Sequence, residues 1–131
     1  LDRVEGFLRV LGDPHRRVPT IHVAGTNGKG SVCATVEAVL RAKGLRVAKY
    51  TSPHLVDFRE RFLIDGAPVS PDRIVAFIDR HTPEVERLGA TFFEATTAMA
   101  FCMSGWPRLP GTAFSSTAAM TPGRLLMASK L

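Results

Sequence analysis

One stretch of the chain, Gly25-Thr26-Asn27-Gly28-Lys29-Gly30-Ser31, gathers three glycines, a lysine and a hydroxyl. In this order those residue types can hold phosphate. Glycine at 25, 28 and 30 lets the main chain take up positive φ and approach oxygen atoms with no side chain between. Lys29 supplies a compact positive charge for terminal phosphates, and the Ser31 hydroxyl can meet a phosphate oxygen or Mg²⁺. Thr26 and Asn27 add loop conformation and backbone donors. The general phosphate-loop pattern has a glycine five residues before its Gly-Lys pair, where Val23 stands here, and Gly30 also separates Lys29 from Ser31. The plainer alternative is a glycine-rich turn carrying an exposed lysine.

Such a loop works only between a strand and a helix, where free N–H groups and the helix dipole converge. The sequence supplies both. Residues 20–24 are β-branched and apolar between Pro19 and Gly25, and read as a buried strand. Val32, Val36, Val39 and Leu40 mark the expected inner face of a helix ending at Lys43-Gly44, and 45–50 is a second strand. Strand, loop, helix and strand make a βαβ unit, so the expected class is α/β with a parallel sheet and flanking helices.

Upstream, Val4, Phe7, Leu8 and Leu11 recur at helical spacing over 2–11. Downstream, 51–56 is loop-like, 61–64 is a strand, and Asp65-Gly66 turns a short hairpin. Ser70-Pro71 opens a helix with Ile74, Val75, Phe77 and Ile78 on its apolar side, which Thr82-Pro83 is expected to kink or restart. Another helix is expected over 92–101. All twelve acidic residues lie at or before Glu94, and 102–131 carries Pro, Gly, Ser and Thr without periodicity.

The 131 residues suffice for one ordinary domain, and 45% hydrophobic with 22% charged content is that of a globular chain. The formal charge of +5 suits a polyanionic ligand. Its basic residues fall in short clusters broken by acids and lack interleaved aromatics, which argues against nucleic acid. The sequence has neither a membrane span nor a signal peptide, so the expected setting is cytoplasmic, with Cys33 and Cys102 as free thiols. His15, His22 and His81 have no metal-site spacing and read as structural or exposed.

Four segments carry a resemblance to a known family. Gly-Thr-Asn-Gly-Lys-Gly-Ser at 25–31, Tyr50-Thr51-Ser52-Pro53-His54-Leu55, Arg59-Glu60-Arg61 and Phe93-Glu94-Ala95-Thr96-Thr97-Ala98 resemble, in order, segments of the folylpolyglutamate synthase/dihydrofolate synthase family of the Mur ligase superfamily. The resemblance covers about residues 1–101. It implies a P-loop ATPase domain whose enzyme uses ATP and Mg²⁺ to phosphorylate a carboxylate of dihydropteroate or a folate. The amine of L-glutamate then displaces phosphate. By that resemblance Lys29 is the catalytic residue and 25–31 hold nucleotide. Ser52 joins Ser31 as a hydroxyl for Mg²⁺, His54 and Leu55 line the pteridine side, and Arg61 assists near the phosphates. Family members are usually monomeric.

The family's next strand with its glutamate, its Gly-Gly-Arg-x-Asp-x-Thr-Asn segment and its C-terminal domain have no match here. The chain is therefore expected to be an inactive N-terminal fragment, with 102–131 an unmatched tail, out of frame or disordered. The alternative is a non-catalytic nucleotide-binding module. A complete phosphotransferase of another P-loop family is disfavoured, because no evident Walker-B-like aspartate follows an apolar strand.

Overall fold

A computed structural model describes residues 2–105 and 124–129. The element that organises it is β2 (Arg46–Thr51), whose side chains alternate between the two faces of the sheet. Val47 packs with Cys33, and Val23, Val36 and Leu40 close around them. Ala48 and Tyr50 join the main core with Phe7, Phe62, Phe77 and Met103. Helix α2 (Lys29–Ala42) covers the first face; α1 (Asp2–Val10), α3 (Pro71–Leu88) and α4 (Phe92–Gly105) supply the second. The architecture is α/β, with helices on both faces of one sheet.

The five-stranded sheet runs β1 (Thr20–Val23), β5 (Arg124–Ser129), β2, β3 (Phe62–Ile64), β4 (Ala67–Pro68). β5 is parallel to both β1 and β2, whereas β3 and β4 are antiparallel. One expectation is corrected here. The sheet is mixed rather than parallel throughout, because the tight turn at Asp65-Gly66, with φ of 53° and 84°, sends the chain straight back. The first and second strands run parallel, as a βαβ unit requires, with β5 between them. That strand falls inside the tail 102–131, expected to be out of frame or disordered; residues 1, 106–123, 130 and 131 lie outside the described residues.

Other differences are local. β1 is mostly exposed rather than buried, with only Val23 half-covered. The covered line of α2 is Lys29, Cys33, Val36, Glu37 and Leu40, so Val32 and Val39 face outward at about half exposure. Glu37 takes the place of a valine because Lys49, on the α2 face of β2, reaches it at 2.5 Å. Helix α3 runs through Pro83 without restarting, and the Thr82 hydroxyl bonds the carbonyl of Ile78 at 2.7 Å. Beyond Pro83, Val85 and Leu88 still pack on the core, which rewards the continued helix. Within α3, Ile74 and Phe77 are buried while Val75 and Ile78 are exposed.

The main core is aromatic. Phe7 is fully buried and meets Phe77 edge-on at 6.4 Å, with His81 against Phe77 at 4.7 Å. Burial lowers the pKa of His81. Tyr50 stacks on Phe62 at 5.6 Å, and its hydroxyl shares a buried 2.9 Å hydrogen bond with Thr96 of α4. Both cysteines are free, and burial pushes the Cys102 thiol up to about 11.

Candidate functional site

The loop 25–31 is built from backbone. Gly28 caps α2 with φ of 78°, and Gly25 has φ of 149°, conformations that a β-carbon would strain. Gly30 does not share this property. It lies in the first turn of the helix, and its value is open space, since a β-carbon there, as at Gly28, would meet nothing within 4 Å. The first bond within the helix runs from the Val32 amide to the Gly28 carbonyl at 3.0 Å, so the amides before it are helix-end donors. Thr26, Asn27 and Ser31 are exposed.

Lys29 is not the exposed side chain of the plainer alternative. It is only 7% exposed, because its Nζ folds back to donate to the carbonyl of Gly25 and, at 2.9 Å, to that of Thr26. The ammonium thus closes the loop on itself, over the helix end where an anion is favoured.

The second group of residues lies at 52–61, after β2, and is built from side chains. The Ser52-Pro53 bond is cis. Arg61 is buried and donates from Nε to His54 Nδ1 at 2.8 Å and from Nη1 to Ser52 Oγ at 3.1 Å. Its guanidinium carbon lies 5.4 Å from the ring centre of Phe92 and 6.0 Å from that of Phe58, within cation–π range. Ser52, His54 and Arg61 are therefore in direct contact. Leu55 is not among them; it stands at the loop tip, 89% exposed beside Val56 at 91%.

Sequence reasoning missed what holds that tip. The carboxylate of Glu60 accepts amides from Leu55 at 2.8 Å, Val56 at 3.1 Å and Asp57 at 2.8 Å. Asp57 returns the arrangement by capping the Arg59 amide at 2.8 Å, a capping box, while its carboxylate holds the Arg59 side chain at 2.5 Å. The amides of Leu55 and Asp57 hold Glu60 below the usual carboxylate range. The side-chain bond from Arg59 does the same for Asp57. The acid-x-x-Glu spacing at 57–60 was the available signal.

The two groups share supports. Glu37 of α2, behind the first loop, pairs at 2.5 Å with Lys49 of β2, which leads into the second. Its other oxygen, Oε1, has no partner. Among the described residues, no hydrogen bond or ion pair runs directly from 25–31 to 52–61.

No family model matches the chain. The dihydrofolate synthase/folylpolyglutamate synthase of Bacillus subtilis is 37% identical over 107 residues, covering 77% of this chain and 25% of that protein. Folylpolyglutamate synthase of Mycobacterium tuberculosis complexed with ADP superposes with a TM-score of 0.79 at 34% identity, over 98% of this chain and 27% of that one. The chain belongs to the folylpolyglutamate synthase/dihydrofolate synthase family, as a partial, N-terminal region of it. A bifunctional folylpolyglutamate synthase/dihydrofolate synthase with Mn, AMPPNP and L-glutamate bound matches at a TM-score of 0.77 and 29% identity, over 98% of this chain and 28% of that one. The chain thus spans about a quarter of each of these proteins.

The residues present fit a phosphate: open space over the helix end, a left-handed glycine cap and a lysine beside them. They fit a metal less well. Among the described residues no group of three or more His, Cys, Asp or Glu could hold one, and the Ser52 hydroxyl already faces the Arg61 cation. No helix among the described residues is long and apolar enough to cross a membrane.

Proposed function

We propose that this region supplies the P-loop and part of the substrate loop of an ATP-dependent, ADP-forming amide ligase. The reaction adds L-glutamate to dihydropteroate or a folate through an acyl phosphate. The observation that carries the reading is the loop 25–31, where a left-handed Gly28 opens α2 and Lys29 lies over its N-terminal end. In this reading Gly25, Thr26, Asn27, Gly28, Gly30 and Ser31 form the cradle for ATP. Lys29 would exchange the carbonyls of Gly25 and Thr26 for terminal phosphate oxygens, offsetting repulsion as a phosphoryl group approaches a carboxylate. Mg²⁺ supplies further charge neutralisation when bound, with Ser31 and Ser52 as the hydroxyls offered.

His54 and Leu55 would face the pteridine. Arg61 is buried against Ser52 and His54, so it acts through them as a positioning residue rather than on phosphate. The proposed partners are small molecules in a cytoplasmic setting. Nucleotide binding without ligation is the second reading, favoured by the lack of an acidic metal group among the described residues.

Titration calorimetry with Mg-ATP tests the shared step. We expect weak binding by this chain that is largely lost in Lys29→Ala. Equal binding by the two would sink the P-loop assignment.

A further inference from the structure

Glu60 lies between two residues of opposite charge to its own, Arg59 and Arg61, and reads in sequence as one more surface acid. Its geometry is more specific. Oε2 accepts the Leu55 amide, while Oε1 accepts those of Val56 and Asp57. Three successive donors converging on one carboxylate form a nest, a shape that requires a fixed course of the main chain. On the other side of the same loop, Arg61 holds Ser52 and His54. Glu60 thus grips the backbone of the tip and Arg61 grips side chains at its base.

We propose that Glu60 is the positioning residue of the substrate loop, fixing the backbone of residues 55–57 so that Leu55 and Val56 stand outward. The side chains that gain from the grip are the two most exposed large hydrophobics among the described residues. Holding apolar side chains in water opposes the hydrophobic effect, so a tip without the carboxylate would fold them back on neighbouring apolar surface. The cost is offset by charge-assisted hydrogen bonds, which are about twice as strong as neutral ones. What Leu55 and Val56 then contact rests on the folate-ligase reading above; the grip itself does not.

Amide exchange resolved by NMR on the full chain tests the grip. Exchange at 55, 56 and 57 should be about ten- to hundredfold faster in Glu60→Ala, the factor that hydrogen bonds to a charged group are worth. Glu60→Gln keeps the shape but only one acceptor oxygen, which satisfies more donors on the side of the Val56 and Asp57 amides than on the side of the Leu55 amide and cannot serve both. It should therefore retain protection at 56 and 57 and lose it at 55. In Glu60→Gln a role in folding alone would expose all three together, and that outcome overturns the proposal, as does unchanged exchange in both variants. Folic acid is the probe for the consequence. Its binding should weaken in Glu60→Ala about as much as in Leu55→Ala, with partial recovery in Glu60→Gln; undiminished binding in Glu60→Ala overturns the positioning role. A wild type that shows the exchange pattern but binds no folic acid upholds the grip and overturns the folate reading instead.

Discussion

The loops 25–31 and 52–61 reach order by opposite means. The first is shaped by residues that lack side chains: Gly25 and Gly28 adopt positive φ, Gly30 leaves space, and the one long side chain, Lys29, bonds the loop's own carbonyls. The second is shaped by ionised side chains, with Asp57, Glu60 and Arg61 each bonding groups within the loop. The difference suits different tasks. A backbone cradle offers N–H donors to an anion whatever is attached to it, whereas a side-chain frame sets the position of particular contact groups. One loop is therefore sensitive to conformation and the other to charge.

The largest effect should come from the support common to both. Lys49→Met leaves Glu37, 5% exposed, as an unpaired buried acid, and should cost about 3–5 kcal/mol. Urea unfolding would measure it, and adding Glu37→Leu should recover most of the loss. No recovery would mean that the strand position, rather than the charge pair, carries the stability.

Gly28→Val comes next, since a branched side chain at φ of 78° is strained by about 1–2 kcal/mol even with open space around it. Gly30→Ala, at helical φ, should change stability by less than about 1 kcal/mol yet weaken Mg-ATP binding by filling the cradle. Equal stability losses in the two would erase the distinction between conformation and space.

Acid should produce the smallest effect, and only in the second loop. Glu60 and Asp57 have folded pKa values depressed below 4.5 and 3.8, so their contribution is full above those values and fades as pH falls through the folded ones. The side chains that act on them are Arg59 and His54 for Asp57, and Asp57 itself for Glu60. Amides 55–57 should lose protection as pH falls through the depressed folded pKa of Glu60, below the ordinary carboxylate range, while the backbone of 25–31, with no acid in it, keeps its conformation. Exchange followed across that range would show whether the loops separate.

Much of the fold was legible. The helix face of Phe7 and Leu8, the strand at Tyr50, the Asp65-Gly66 turn and the Ser70-Pro71 start each carry a local signal, and each appears. The glycine loop was legible for the same reason, since glycine spacing between a strand and a helix is a local property. Where reading failed, the deciding partner was distant in sequence. Val32 and Val39 were expected on the inner face of α2, and Lys49, twelve positions beyond Glu37, made Glu37 interior instead. Periodicity shows that one side of a helix will be covered; which residues form that side depends on the strand opposite.

By itself, then, the sequence determined the α/β class, the turns and the glycine loop between strand and helix, all of which follow from steric rules acting over a few residues. Only the tertiary structure decided that β5 separates β1 from β2, that Lys29 folds back on its own loop, and that Arg61 turns inward to Ser52 and His54. Strand order is set by packing between remote segments, and a long charged side chain takes its place from whichever acceptor the completed fold brings within reach.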